Sequence, residues 1–349
     1  LGAGFWHRVL EVALPLARPA IAAGVALALM EVLADYGVGA FFGLTTFSTG
    51  IYKAWLAMND RVAAAQLASL LLVIVAALLW VERRAQARLR FAASRGGPAS
   101  SQDARPLLLR GGLAVLAFAL CAVPVLLGFL LPVVLLLRLL VQEVAHAEMG
   151  LPLQAFGQWA WSSFRLAAGA ALLATGLALM LAFMQRLRPA ARGDAADRAT
   201  AWAATGATRV IGLGYAVPGG VIAVGILLPL GWAQEAAPQW GLPALFTGTA
   251  LGLMMAYLVR FSAVALQTLE SGYARVPPSI DDTARMLGAR AGRVFTELHL
   301  PLLRRSVLAA VLLVFVDVMK ELPATLVLRP FDSDTLAVVA YNLARDERL

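Results

Sequence analysis

Cysteine is almost missing from this chain. Of 349 residues one is a cysteine, Cys121, set in an apolar run, so an intrachain disulfide, a Cys-based zinc site and an iron–sulfur cluster are all excluded. Charge is scarce too: Asp, Glu, Lys and Arg make up 14% of the chain, against about a quarter in a soluble domain. Histidine occurs at His7, His146 and His299 only, too scattered for a metal triad, and His299 is expected to be a polar loop residue. There is no Gly-rich phosphate loop ending in Gly-Lys-Ser or Gly-Lys-Thr and no His-Glu-x-x-His zinc motif, so nothing supports an enzyme. The opening residues are not expected to be a signal peptide. The chain begins inside a motif repeated later, so it is expected to be a fragment of a longer protein.

What is abundant is apolar. Hydrophobic residues make up 60% of the chain and mean hydropathy is +0.77, which places it in the membrane. The fold class that follows is all-α, a polytopic transmembrane bundle. Runs long enough to cross about 30 Å of hydrocarbon fall at residues 17–44, 62–81, 111–140, 162–184, 210–230, 245–264 and 302–328, about seven spans. Pro124 and Pro132 are expected to tilt or kink the third. In the fifth, Tyr215-Ala216-Val217-Pro218-Gly219-Gly220 permits a break in mid-membrane, because Pro218 removes a backbone donor and the glycines accept unusual turns. Between residues 83 and 110 the composition turns to Arg, Gly, Pro and Ser, which reads as a linker.

A duplication orders the chain. Leu1-Gly2-Ala3 matches Leu287-Gly288-Ala289, and Glu11, Leu14, Pro15, Leu16 and Arg18 match Glu297, Leu300, Pro301, Leu302 and Arg304. The register continues without a gap to Val32 and Val318. Residues 1–82 therefore read as the later part of a first unit and 111–349 as a second unit of five spans that lacks its last one. Basic residues exceed acidic ones by eight, and most sit in the loops joining 81 to 111, 184 to 210 and 264 to 302 and in the N-terminal segment. This placement indicates a membrane face rather than nucleic acid, and the crowded face is expected to be cytoplasmic. Both motif copies face it, so the repeats are parallel, with a substrate path between them.

Two sets of residues carry the functional expectations. Asp282, Thr283 and Ala284 are expected to begin a short exposed helix, with Leu287 at its end, Gly288 turning the backbone and Pro301 restarting the chain into the membrane. Inside the spans, Glu31 aligns with Asp317 and Asp35 with Glu321, each pair one helical turn apart. Acids at membrane depth default to functional candidates. They either line a cation path, with Lys320, Pro218 and Gly219 nearby, or cap and tie helix ends.

The stretch Asp282-Thr283-Ala284-x-x-x-Gly288, followed by Leu298-His299-Leu300-Pro301, resembles the EAA loop of the membrane subunits of ATP-binding-cassette importers of type I. The first copy keeps Gly2 and Leu14-Pro15-Leu16. The resemblance implies a coupling helix that docks on a cytoplasmic ATPase dimer, with ATP and Mg bound there and no cofactor in this chain. It also implies a periplasmic solute-binding protein as partner and a bacterial inner membrane location, with the coupling loops cytoplasmic. Met319-Lys320-Glu321-Leu322-Pro323-Ala324-Thr325, Leu328-Arg329-Pro330-Phe331, Asp334-Thr335-Leu336-Ala337 and Asp346-Glu347-Arg348, with Tyr215-Ala216-Val217-Pro218-Gly219, resemble the fused two-unit permeases for ferric iron. Relatives importing thiamine, polyamines, phosphonates or sulfate share that scaffold. A secondary transporter would also show repeats and buried charges, but would not need a docking motif.

Overall fold

A computed structural model describes residues 4–95, 109–146, 152–187, 206–208, 210–241, 245–246, 249–331 and 333–346. Among them there are helices and no strand. Thirteen helices organise the description: α1 Leu14–Ala34, α2 Gly37–Phe41, α3 Phe47–Tyr52, α4 Arg61–Arg95, α5 Gly112–Val125, α6 Leu131–His146, α7 Leu153–Leu187, α8 Gly219–Ala236, α9 Leu251–Tyr273, α10 Pro278–Met286, α11 Leu300–Met319, α12 Pro323–Leu328 and α13 Leu336–Arg345.

The repeat is visible in the element boundaries. Short helices at Phe5–His7 and Ala291–Arg293, wider π-turns at Arg8–Ala13 and Val294–His299, and the long helices α1 and α11 all begin 286 residues apart. Proline explains the π-turns. Pro15 and Pro301 have no N–H, and their rings crowd the carbonyl four residues back, so the backbone widens to the next acceptor. Of the two other π-turns among the described residues, Leu126–Leu130 likewise ends two residues before a proline, Pro132, whereas Lys53–Ala57 has none after it. Pro301 therefore sits within one continuous helical run from Ala291 to Met319 instead of restarting the chain, which corrects the sequence expectation. In the first copy the run bends by 54° between Arg18 and Ala20, at Pro19.

Among the described residues five helical runs are long and apolar enough to cross a membrane, or six if the bent pair is one span, against the seven expected. The difference lies in the two duplicated helices. Residues 17–44 do not form one helix: α1 stops at Ala34 and α2 restarts at Gly37. Residues 302–328 divide in the same way at Lys320–Leu322, and Arg304, Arg305 and Asp317 lower the apolar character of α11. The run expected at 245–264 instead extends along α9 to Tyr273, and that expected at 162–184 fills α7 from Leu153 to Leu187.

Packing centres on α7, α9 and α11, each against the other two. Helix α7 presents Ala167, Ala170, Ala171, Ala174, Ala178 and Ala182, all buried, and small residues let backbones approach where lipid offers no hydrophobic drive. In the first unit α1 packs on α4. The two units meet through α8, which touches α3 and α4 of the first and α9 and α12 of the second. Its Ile222 and Ala223 join the second unit's core, while Val224 packs with Met30, Ile51, Leu71 and Val75 of the first. The run from Gly112 to Ala145 stands apart, with none of its most apolar stretch buried. Gly2 and residues 96–108 of the expected linker lie outside the described residues.

Candidate functional site

The exposed motif is a short amphipathic helix held at one end of the α7–α9–α11 core. Helix α10 opens with Pro278 at its first position, where a missing N–H has no cost. Asp282, Thr283 and Ala284 therefore lie in its second turn and do not begin it. Asp282 is exposed and pairs with Arg285 at 3.2 Å, while the Thr283 hydroxyl donates to the Ser279 carbonyl at 2.8 Å. Ala284 is half-buried. The helix ends at Gly288, whose φ of +79° suits glycine alone at no steric cost. Its amide donates to Arg285 O at 2.9 Å, and that of Ala289 to Ala284 O at 3.0 Å. This turn leaves Met286 and Leu287 89% and 83% exposed, an apolar tip without a covering surface among the described residues.

Asp281, beside the motif, points the other way. It is buried, with Arg186 Nε donating to one carboxylate oxygen at 2.6 Å and His299 Nε2 beside the other at 2.7 Å. Burial alone would raise its pKa, but those hydrogen bonds and the Arg186 charge hold it below the usual carboxylate value. His299 is 1% exposed and helical, which corrects its reading as a polar loop residue.

The second site lies at the helix breaks. Arg260 is thirteen residues before Tyr273, about 20 Å along α9, and so well within the roughly 30 Å of hydrocarbon. There its Nη1 meets Glu321 at 3.0 and 3.1 Å, with both side chains under a tenth exposed. Glu321 also accepts from the Ala324 amide at 3.0 Å, closing the first turn of α12. Arg260 Nε has no partner among the described residues. Gly219, the first residue of α8, fits against this pair: a Cβ there would lie 2.5 Å from Glu321 Oε1 and 2.8 Å from Arg260 Nη1. The chain does break at Tyr215–Pro218, and the buried Pro218 is the N-cap of α8.

Above the ion pair a cavity of about 550 Å³ opens between the units, lined among others by Glu31, Asp35, Arg260, Lys320, Glu321 and Tyr341. The acids around it differ in their partners. Asp317 binds Lys320 at 3.0 Å and Glu321 binds Arg260. Glu31 accepts only the uncharged Tyr215 hydroxyl, and Asp35 is exposed. Among the described residues neither Glu31 nor Asp35 is paired with a cation, so the cavity keeps negative charge. Tyrosines seal the seam beside it: Tyr36 bonds Tyr341 across the units at 3.1 Å and stacks near Tyr52 at 4.1 Å, whose hydroxyl donates to the Pro323 carbonyl. Pro15 and Pro301 sit at the far end of the same helices, and no group of three or more His, Cys, Asp or Glu among the described residues is arranged to hold a metal.

Residues 195–331, from before α8 to just after α12, match the family of binding-protein-dependent transport system inner membrane components. Over that segment the chain is similar to those components. The Fe(3+)-transport system permease protein FbpB 2 of Haemophilus influenzae is 25% identical over 346 residues, covering 98% of this chain and 62% of that relative. This chain thus spans under two thirds of the relative's length. The matched permease segment contains Gly219, Arg260, Asp281, all of α10 and Glu321, and stops before Tyr341. The sequence reading passed over Arg260, although a lone cation inside the apolar run of 245–264 was the available signal. It also passed over Asp281, Arg186, Tyr52 and Tyr341, whose partners are distant in sequence.

Proposed function

We propose that this chain is permease machinery of an ATP-driven importer, in which α10 docks on a separate cytoplasmic ATPase dimer that binds ATP and Mg, and the cavity between the units passes a cation delivered by a periplasmic binding protein. The observation that carries this reading is the apolar tip Met286–Leu287, held out by the Gly288 turn at one end of the core. A secondary transporter has no use for such a tip. The substrate class follows from charge: Glu31 and Asp35 favour a cation and disfavour sulfate or phosphonate. Ferric iron is the choice within that class because the relative from Haemophilus influenzae is named for Fe(3+) transport; thiamine and polyamines, also cationic, are the competing cargoes.

The test is uptake in sealed vesicles carrying the assembled importer. Ferric iron uptake is expected to need the ATPase, to fall about tenfold or more in the Glu31→Gln, Asp35→Asn double variant, and to fail in Leu287→Ser through loss of ATPase co-purification. Uptake of thiamine or a polyamine in place of iron would reassign the cargo. Unchanged ATPase co-purification in both Leu287→Ser and Gly288→Val would sink the docking role.

A further inference from the structure

Resting on the reading of α10 as the docking helix, we propose that Asp281, His299 and Arg186 form the joint that passes its displacement into the membrane core, with Asp281 as the positioning residue. The geometry is specific. Asp281 lies in the first turn of α10, yet its two oxygens are held by Arg186 from the end of α7 at 2.6 Å and His299 from the foot of α11 at 2.7 Å. Arg186 Nη2 donates to the Val276 carbonyl at 2.6 Å. The Tyr273 hydroxyl, at the end of α9, lies 3.2 Å from His299 Nδ1. One carboxylate on the docking helix therefore ties together the same ends of all three core helices.

With a neutral imidazole each contact in this set pairs a donor with an acceptor. Tyr273 O–H donates to Nδ1, Nε2–H donates to one Asp281 oxygen, and Arg186 donates to the other, leaving one negative and one positive charge in contact. Phe183 packs edge-on against the His299 ring at 5.3 Å and keeps water from that face. A connected, desolvated set of this kind resists deformation more than separate surface bonds would. The outward residues Asp282, Thr283, Met286 and Leu287 are then free to meet a partner without bearing on the core. The first copy lacks the joint at this level, because Ala13 stands where the second has His299.

Two measurements on the full chain test the joint. In the first, a nitroxide is attached at Met286→Cys in a Cys121→Ser background in nanodiscs, without any ATPase. The spectrum is expected to sharpen in Asp281→Asn and, less, in Arg186→Lys, which keeps the charge but loses the forked donors, while the thermal midpoint falls less than in Glu321→Gln. An immobile label in both variants, or a midpoint that falls as far as in Glu321→Gln, would overturn the proposal. In the second, the importer with its ATPase is expected to keep ATPase binding and basal turnover in Asp281→Asn while binding-protein-stimulated transport per ATP falls about tenfold. Unchanged transport per ATP would overturn it. Wild-type chain that binds no ATPase would overturn the docking role instead, and the nitroxide result would still decide whether the joint exists.

Discussion

Asp35 and Glu321 occupy the same place in the two copies, two residues before a short helix that restarts after the break, yet their surroundings are opposite. Glu321 is buried, answers the Arg260 charge and closes the first turn of α12. Asp35 is exposed on the wall of a cavity, with its neighbour Glu31 holding only a tyrosine hydroxyl. The backbone break is thus common to both copies, and the acid is structural in one and available in the other. The difference comes from outside the repeat: Arg260 belongs to α9, in the part of the second unit for which residues 4–95 hold no counterpart.

The largest expected effect sharpens that contrast. Glu321→Gln leaves the Arg260 guanidinium buried without a counter-charge and should cost about 3 kcal/mol, whereas Asp35→Asn should stay within about 0.5 kcal/mol. Thermal unfolding in detergent measures both, and equal losses would break the comparison. Glycine gives a second pairing. Gly219→Ala drives a Cβ into the ion pair and should cost about 1–3 kcal/mol. Gly24→Ala, which introduces the residue the second copy carries at Ala310 and meets open space, should be neutral or gain up to about 1 kcal/mol.

A smaller effect follows from Asp281. Its pKa in the folded chain lies below the ordinary carboxylate value, so its contribution to stability is present above about pH 4 and is lost as pH falls through the depressed folded value. The gap in thermal midpoint between wild type and Asp281→Asn should be flat from about pH 5 to 8 and close in acid. A gap that persists unchanged into acid would contradict the charged carboxylate.

Much of the architecture was legible in the sequence because the apolar runs and the ungapped repeat are local signals. The breaks at Asp35 and Lys320–Leu322 were not, since each lies inside a run whose composition stays apolar on both sides. At the sites, the motif letters located α10 but placed its start four residues late, because Pro277-Pro278 was not used as a helix start. The four acids read alike in the alignment. Only Tyr215 and Arg260, brought in from α8's approach and from α9, divide Glu31 and Asp35 from Glu321. His299 could not be read as buried, because its partners Asp281 and Tyr273 are 18 and 26 positions away.

The claim on which the account depends is that the two copies share one orientation, with the docking ends on one face and the cavity toward the other. Single-cysteine variants made in the Cys121→Ser background and labelled with an impermeant thiol reagent in sealed, oriented vesicles test it most directly. Arg290→Cys and Arg84→Cys should both be labelled from the cytoplasmic side, and Asn59→Cys from the opposite side. Labelling of Arg290→Cys and Arg84→Cys from opposite faces would contradict the account.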